Sequence, residues 1–185
     1  FKNNKMNTIT RIFEFDAAHR VMNEKVKCFN LHGHRFKVEA TFSYDSVLSL
    51  GYAIDFKEIK RVFGTWIDEN LDHACLLNPM DTELIDLCKK NKWRLYIMGL
   101  GNNWDVNPSA ENIATELWDV AKRFFRLTVE GVSIEKIRLY ETPNCWVDVN
   151  RAYYVPTEDR VNSLMSWRDK MGTIDYDVRN AKKEE

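Results

Sequence analysis

Residues 32–42 read HGHRFKVEATF, an alternation with a period of two. His32, His34, Phe36, Val38, Ala40 and Phe42 fall on one side of such a chain, and Arg35, Lys37, Glu39 and Thr41 on the other. This predicts a β-strand whose apolar face begins with two histidines. The preceding run, from Ile9 to His19, alternates in the same way, with Ile9, Phe13, Phe15, Ala17 and His19 on one face and Arg11 the exception. Both strands therefore carry histidine on the face that should be buried.

Working outward, Gly51 starts a break, and Asp55 with Glu58 three residues on resembles a capping box. Ile59, Val62, Phe63, Trp66, Ile67 and Leu71 follow with helical spacing, which predicts a helix ending near Asn70. A shorter helix is expected after Asp81, with Leu84, Ile85 and Cys88 inward, then a short extended piece over 93–98 and a loop over 99–107. Pro108 suits the first turn of another helix, whose stripe is Ile113, Leu117, Ala121 and Phe124. Residues 132–142 alternate again, with Ile137, Leu139 and Glu141 on one face. After a TPN turn, a strand from Cys145 to about Val155 closes a hairpin. The order strand, strand, helices, strand, strand predicts an α+β domain with antiparallel pairing over 6–155. Val161, Leu164, Met165 and Trp167 suggest a helical extension within 156–185, ending in a frayed tail. Met6 is taken as the natural start, and residues 1–5 are given no structural weight.

The bulk numbers narrow the function classes. A chain of 185 residues, 44% hydrophobic and 30% charged, can bury a real core as one domain with an extension. A net charge of -1 gives no global electrostatic reason to expect nucleic acid or an anionic membrane surface. No apolar run approaches the roughly 20 residues that span a bilayer. No signal-peptide pattern is visible, so Cys28, Cys75, Cys88 and Cys145 are read as reduced thiols in a cytoplasmic protein.

Of four histidines in the chain, three can share one site: His19, His32 and His34. Positions two apart on a strand project to the same side about 6–7 Å apart. A third imidazole from an adjacent strand completes a set that suits zinc and leaves a tetrahedral position open, as in catalytic sites. Core histidines bonded to backbone carbonyls are the bland alternative, but three such rings without a metal leave several nitrogens to satisfy. Cys28 reads as a fourth ligand that closes the site, as a thiolate base beside it, or as an inert cysteine; spacing alone separates none of these. Asp72 with His73 reads as a proton-transfer pair or as a cap with a surface residue. Glu141, a carboxylate on an apolar face, is costly unless it holds something.

FEFDAAHR (13–20), CFNLHGHRF (28–36), GYAIDF (51–56), LDH (71–73), NPSAENIA (107–114) and YETPN (140–144) occur in an order and spacing that resemble the 6-pyruvoyltetrahydropterin synthase family. The likeness runs from about Ile9 to Val149. It implies a tunnelling fold, with a four-stranded antiparallel sheet, helices on one face, and homo-hexamers built from two trimers with active sites where subunits meet. By the same resemblance His19, His32 and His34 bind Zn2+, and Cys28 is the general base. Asp72 and His73 form a relay, Glu141 anchors the pterin, and Ser109 and Glu111 approach it. Ala110 stands where relatives often have a hydroxyl. The implied substrate is 7,8-dihydroneopterin triphosphate.

Three residues between Cys28 and HGH, together with GYAIDF, look like the bacterial 6-carboxytetrahydropterin synthases of queuosine biosynthesis. Animal pyruvoyl enzymes have a longer gap, and an aldolase-like branch replaces the cysteine by glutamate. The alternatives are a pyruvoyl synthase, a non-catalytic zinc module closed by the cysteine together with the three histidines, and a pterin-binding scaffold that has lost turnover. The stretch from Pro79 to Asn107 and the tail after Arg151 exceed compact relatives in length.

Overall fold

The computed structural model describes residues 7–99, 106–126, 131–152 and 157–171, with the side chains of 126 and 168 excepted. Part of the 99–107 loop, the end of the strand expected to reach Val155, and the frayed tail lie outside these residues.

The two alternating runs form β1 (Asn7–His19) and β2 (His32–Tyr44), antiparallel along their full length, with Asn7 opposite Tyr44 and His19 opposite His32. Phe15, Ala17, Phe36, Val38, Ala40 and Phe42 are buried, as the alternation requires. A fully buried Phe contributes roughly 1.5–3 kcal/mol, so this face drives the assembly of the sheet. The expected hairpin is β5 (Val132–Thr142), antiparallel to β2, and β6 (Cys145–Val149). The second strand of that hairpin stops at Val149.

The fold is α+β as expected, but the sheet has six strands, not four. β3 (Ala74–Leu77) and β4 (Leu95–Ile97) add in parallel beyond β1, giving the order β4-β3-β1-β2-β5-β6. Leu76 and Leu77 are both buried, so β3 is covered on both faces and shows none of the alternation that betrays a strand.

Asp55 caps α1 (Phe56–Ile59) by accepting from the Lys57 N–H at 2.8 Å. The helix continues through a wider π-helical stretch, Lys60–Gly64, into α2 (Thr65–Asn70). A Cβ at Gly64 would stand 2.8 Å from the Phe13 ring, so glycine lets this helix press onto β1. Asp81 caps α3 (Thr82–Asn91), which packs Ile85 and Cys88 on Leu77, with Cys75 and Leu95 alongside, at the far face of the β3–β4 edge. Pro108 precedes α4 (Ala110–Arg126) by two residues instead of lying in its first turn, and Ser109 is the cap. Ile113, Leu117, Ala121 and Phe124 of α4 are buried over the sheet as their spacing predicts. On α5 (Glu158–Met171), Leu164 is buried and Trp167 stacks on Phe124 at 5.0 Å between ring centres. No helix among the described residues is long and apolar enough to cross a membrane.

One strand breaks the simple alternation twice. Against β2, Phe42 pairs with Ile134 but Thr41 with Lys136, so Glu135 is an extra, bulged residue. Against β6, Tyr140 pairs with Trp146 and Thr142 with Cys145, which leaves Glu141 as a second one. Bulges of this kind re-aim side chains and cluster beside active sites.

Candidate active site

The C-terminal end of β1 and the N-terminal end of β2 bring three imidazoles together. One nitrogen from each of His19, His32 and His34 lies within 4.8 Å of the other two. Ring centres of His19 and His32 are 4.6 Å apart, and those of His32 and His34 are 5.0 Å apart. A Cβ at Gly33, between them, would meet the Ala17 carbonyl oxygen at 3.1 Å, a tight contact that glycine avoids.

Backbone carbonyls fix two of the three rings. His19 Nδ1 donates to the Pro108 carbonyl at 2.6 Å, and His32 Nδ1 to that of Asn30 at 2.7 Å. A carbonyl can only accept, so both protons sit on Nδ1 and both Nε2 lone pairs remain for a ligand. His19 is 1% exposed, and its Nε2 is buried without a hydrogen-bond partner. Burial pushes its pKa down and keeps it neutral, the form a metal requires. Glu141 Oε1 lies 3.5 Å from that Nε2 and 4.0 Å from the Nε2 of His34. A lone pair facing a carboxylate is repulsive unless a cation lies near. The donor set, the orphaned nitrogen and the adjacent negative charge all fit a metal ion.

The other predicted residues surround this cluster unevenly. Cys28 is exposed on a one-turn helix, Lys27–Phe29, in the loop joining β1 to β2, and is not a member of the cluster. Ser109 is half-buried and Glu111 exposed at the start of α4, just beyond the carbonyl that holds His19. Glu141 lines a hollow of about 470 Å³ with His34, Tyr140 and Thr142.

Asp72 and His73 form a tight pair elsewhere. His73 Nδ1 donates to Asp72 Oδ2 at 2.7 Å, while Asp72 Oδ1 accepts from the Asp16 N–H at 2.9 Å. His73 has φ +57°, a left-handed conformation, and its side chain is 75% exposed. It lines a second hollow of about 510 Å³ with Asp16, Gly33, His34, Arg35 and Cys75. Strand alternation puts Asp16 and Arg35 on the face of the sheet opposite the histidine side chains, while His34 borders the hollow at its edge. No hydrogen bond or ion pair among the described residues joins the Asp72–His73 pair to the histidine cluster. Cys75 borders the hollow too, but burial and the neighbouring Cys88 push its thiol up to about 11, away from nucleophilic use.

Several supporting groups escaped the sequence reading. The Asn30 carbonyl, two residues before His32, carried a short-range signal. The Pro108 carbonyl, 89 positions from His19, carried none.

Comparison with known proteins places the chain in a family. The pattern of the family described as 6-pyruvoyl tetrahydropterin synthase matches residues 8–152. The 6-carboxy-5,6,7,8-tetrahydropterin synthase of Rickettsia felis is 42% identical over 144 residues, covering 76% of this chain and 97% of the relative. Its counterpart in Rickettsia conorii is 41% identical over the same shares. The crystal structure of 6-pyruvoyl tetrahydropterin synthase from Plasmodium vivax aligns with a TM-score of 0.58 at 20% identity, over 79% of this chain and 99% of that one. The fold is the tunnelling fold of these synthases.

Proposed function

The chain belongs to the 6-pyruvoyl tetrahydropterin synthase family, and on that premise we propose that it is a zinc-dependent 6-carboxy-5,6,7,8-tetrahydropterin synthase. The substrate is 7,8-dihydroneopterin triphosphate. The products are 6-carboxytetrahydropterin, acetaldehyde and triphosphate, formed on the way to 7-deazaguanines such as queuosine. The observation that carries this reading is the open cluster: three histidine nitrogens converge while Cys28, four residues upstream, stays outside it.

His19, His32 and His34 would hold Zn2+, which when bound supplies a Lewis acid for oxygens of the substrate side chain. Glu141 receives the adjacent N–H groups of the pterin ring, a bidentate arrangement suited to a carboxylate. That carboxylate continues the inward phase of Ile137 and Leu139 and lies 3.5 Å from the His19 Nε2. Cys28 takes or returns a proton at the carbon beside a carbonyl. Asp72 holds the proton of His73 on Nδ1, leaving Nε2 to exchange protons on the opposite side of the substrate. Ser109 and Glu111 border the ring at the head of α4. Because no hydrogen bond or ion pair among the described residues joins the Asp72–His73 pair to the cluster of its own chain, we read each site as completed by the Asp72–His73 pair of a second copy, in a homo-oligomer of two trimers.

The zinc-loaded protein incubated with 7,8-dihydroneopterin triphosphate tests the reading by mass spectrometry. Acetaldehyde with 6-carboxytetrahydropterin is expected. A 6-pyruvoyl product would move the chain to the other branch, and absence of any turnover would overturn the enzymatic reading.

A further inference from the structure

Asn78, Asp81 and Asn107, between β3 and α4, take no part in the chemistry above, yet their side chains reach across to the loop that carries Cys28 or steady one another there. That loop has no apolar anchor of its own. Its one-turn helix buries nothing, and Val26, Phe29 and Leu31 are exposed. A catalytic thiol on such a loop needs its position imposed from outside.

Polar contacts impose it. Arg20, next to His19, donates two hydrogen bonds of 2.6 Å to the carboxylate of Asp81, which is 2% exposed. The same Asp81 caps α3 through the Leu84 N–H, so the carboxylate cannot swing. The fork fixes the plane of the guanidinium, and its face covers the Phe29 ring at 5.3 Å, beside Cys28. Val21, directly after Arg20, donates its N–H to the Cys28 carbonyl at 2.8 Å. Asn107 holds the neighbouring turn from both sides, accepting from the Met22 N–H at 2.8 Å and donating to the Met22 carbonyl at 3.2 Å. Asn78 steadies Asn107 with a further bond of 2.9 Å.

We propose that Asp81 and Asn107, acting through Arg20 and Met22, form a clamp that sets the position of Cys28. They are positioning residues and touch no substrate. The role rests on Cys28 being the proton-transfer group, and it gives the long segment 79–107 a task.

Asp81→Ala, Asp81→Asn and Arg20→Lys in the full chain test it with four readouts. These are hydrogen exchange of residues 21–30, iodoacetamide labelling of Cys28 against Cys145 as the exposed reference, zinc per chain, and steady-state turnover. In Asp81→Ala we expect faster exchange over 21–30, an altered Cys28 labelling rate with Cys145 unchanged, and undiminished zinc. The kcat should fall about 100-fold while KM stays within about 3-fold, the signature of a misplaced catalytic group. Arg20→Lys, which keeps the charge but loses the fork, should move the same way. Asp81→Asn, which retains the cap, should recover part of the rate. If Asp81→Ala does not fold, Phe29→Leu removes the ring under the guanidinium from an exposed position and must still alter Cys28 labelling. Unchanged exchange and labelling, or a rate loss that tracks zinc loss, would overturn the clamp. A wild-type protein that makes no product while exchange and labelling respond as described would sink the synthase reading and leave the clamp standing.

Discussion

His32 and His73 belong to the same small set of histidines, yet their surroundings are opposite. The ring of His32 is pinned by a carbonyl two residues away and packed against two other imidazoles. His73 stands in a left-handed backbone, three-quarters exposed, its ring held by the Asp72 carboxylate and its N–H by the Asp16 carbonyl. The first region is assembled within one chain, with two of its three rings already held by backbone carbonyls. The second is displayed, with three-quarters of its side chain open. On the proposed reading, the displayed half meets the finished half of a second copy.

The largest effect should come from the finished half. His32→Ala or His34→Ala removes one of three donors, and zinc measured by elemental analysis should fall from about one ion per chain to near none, with activity lost. Retained metal would break the assignment of the cluster. Cys28→Ala should keep zinc and lose roughly 10³-fold in kcat, within the usual span for a proton-transfer group. Metal loss in that variant would make Cys28 a ligand after all.

The displayed half should respond more gently. His73→Ala is expected to lower kcat about 100-fold without touching zinc. Unfolding and refolding a mixture of Cys28→Ala and His73→Ala should restore part of the activity, because some sites would then combine two intact halves. No recovery would mean that the pair serves its own chain. His73→Gly sharpens the contrast in another currency: relief of the left-handed strain should raise stability by roughly 1 kcal/mol while activity falls.

The smallest effect lies on the open face of the sheet. Hydrogen bonds from Arg138 hold the Asp148 carboxyl below its ordinary 3.8. A depressed carboxyl stabilises fully above pH 3.8 and loses that contribution as the pH falls below it. Asp148→Asn should flatten acid unfolding there by less than about 1 kcal/mol, as for other exposed pairs. A larger change would reveal a neighbour that covers this face.

Much of this was legible because strand alternation is a strong signal. HGHRFKV placed two imidazoles on a buried face by its period alone, and Ile137, Leu139 and Glu141 marked a carboxylate in apolar company. β3 was not legible, since four residues buried on both sides carry no period. Nor was the Pro108 carbonyl, because a backbone acceptor has no letter in the sequence. Arg20 and Asp81 are 61 positions apart and belong to different elements, so no local pattern couples them. The parallel strands at the sheet edge share that difficulty, as only tertiary packing decides which short extended piece is recruited.

The bulge at Glu135 has a reach beyond its own position. Val132 and Ile134 face the core on even numbers, and Ile137 and Leu139 on odd ones, so this single inserted residue shifts the phase of everything after it. Glu141 inherits that phase. Deleting Glu135 would leave composition and hydropathy almost untouched, yet it would force the strand to choose between its apolar beginning and its functional end. The heading of the carboxylate is thus written six positions upstream, as a reading frame is set by one letter far from the word it changes.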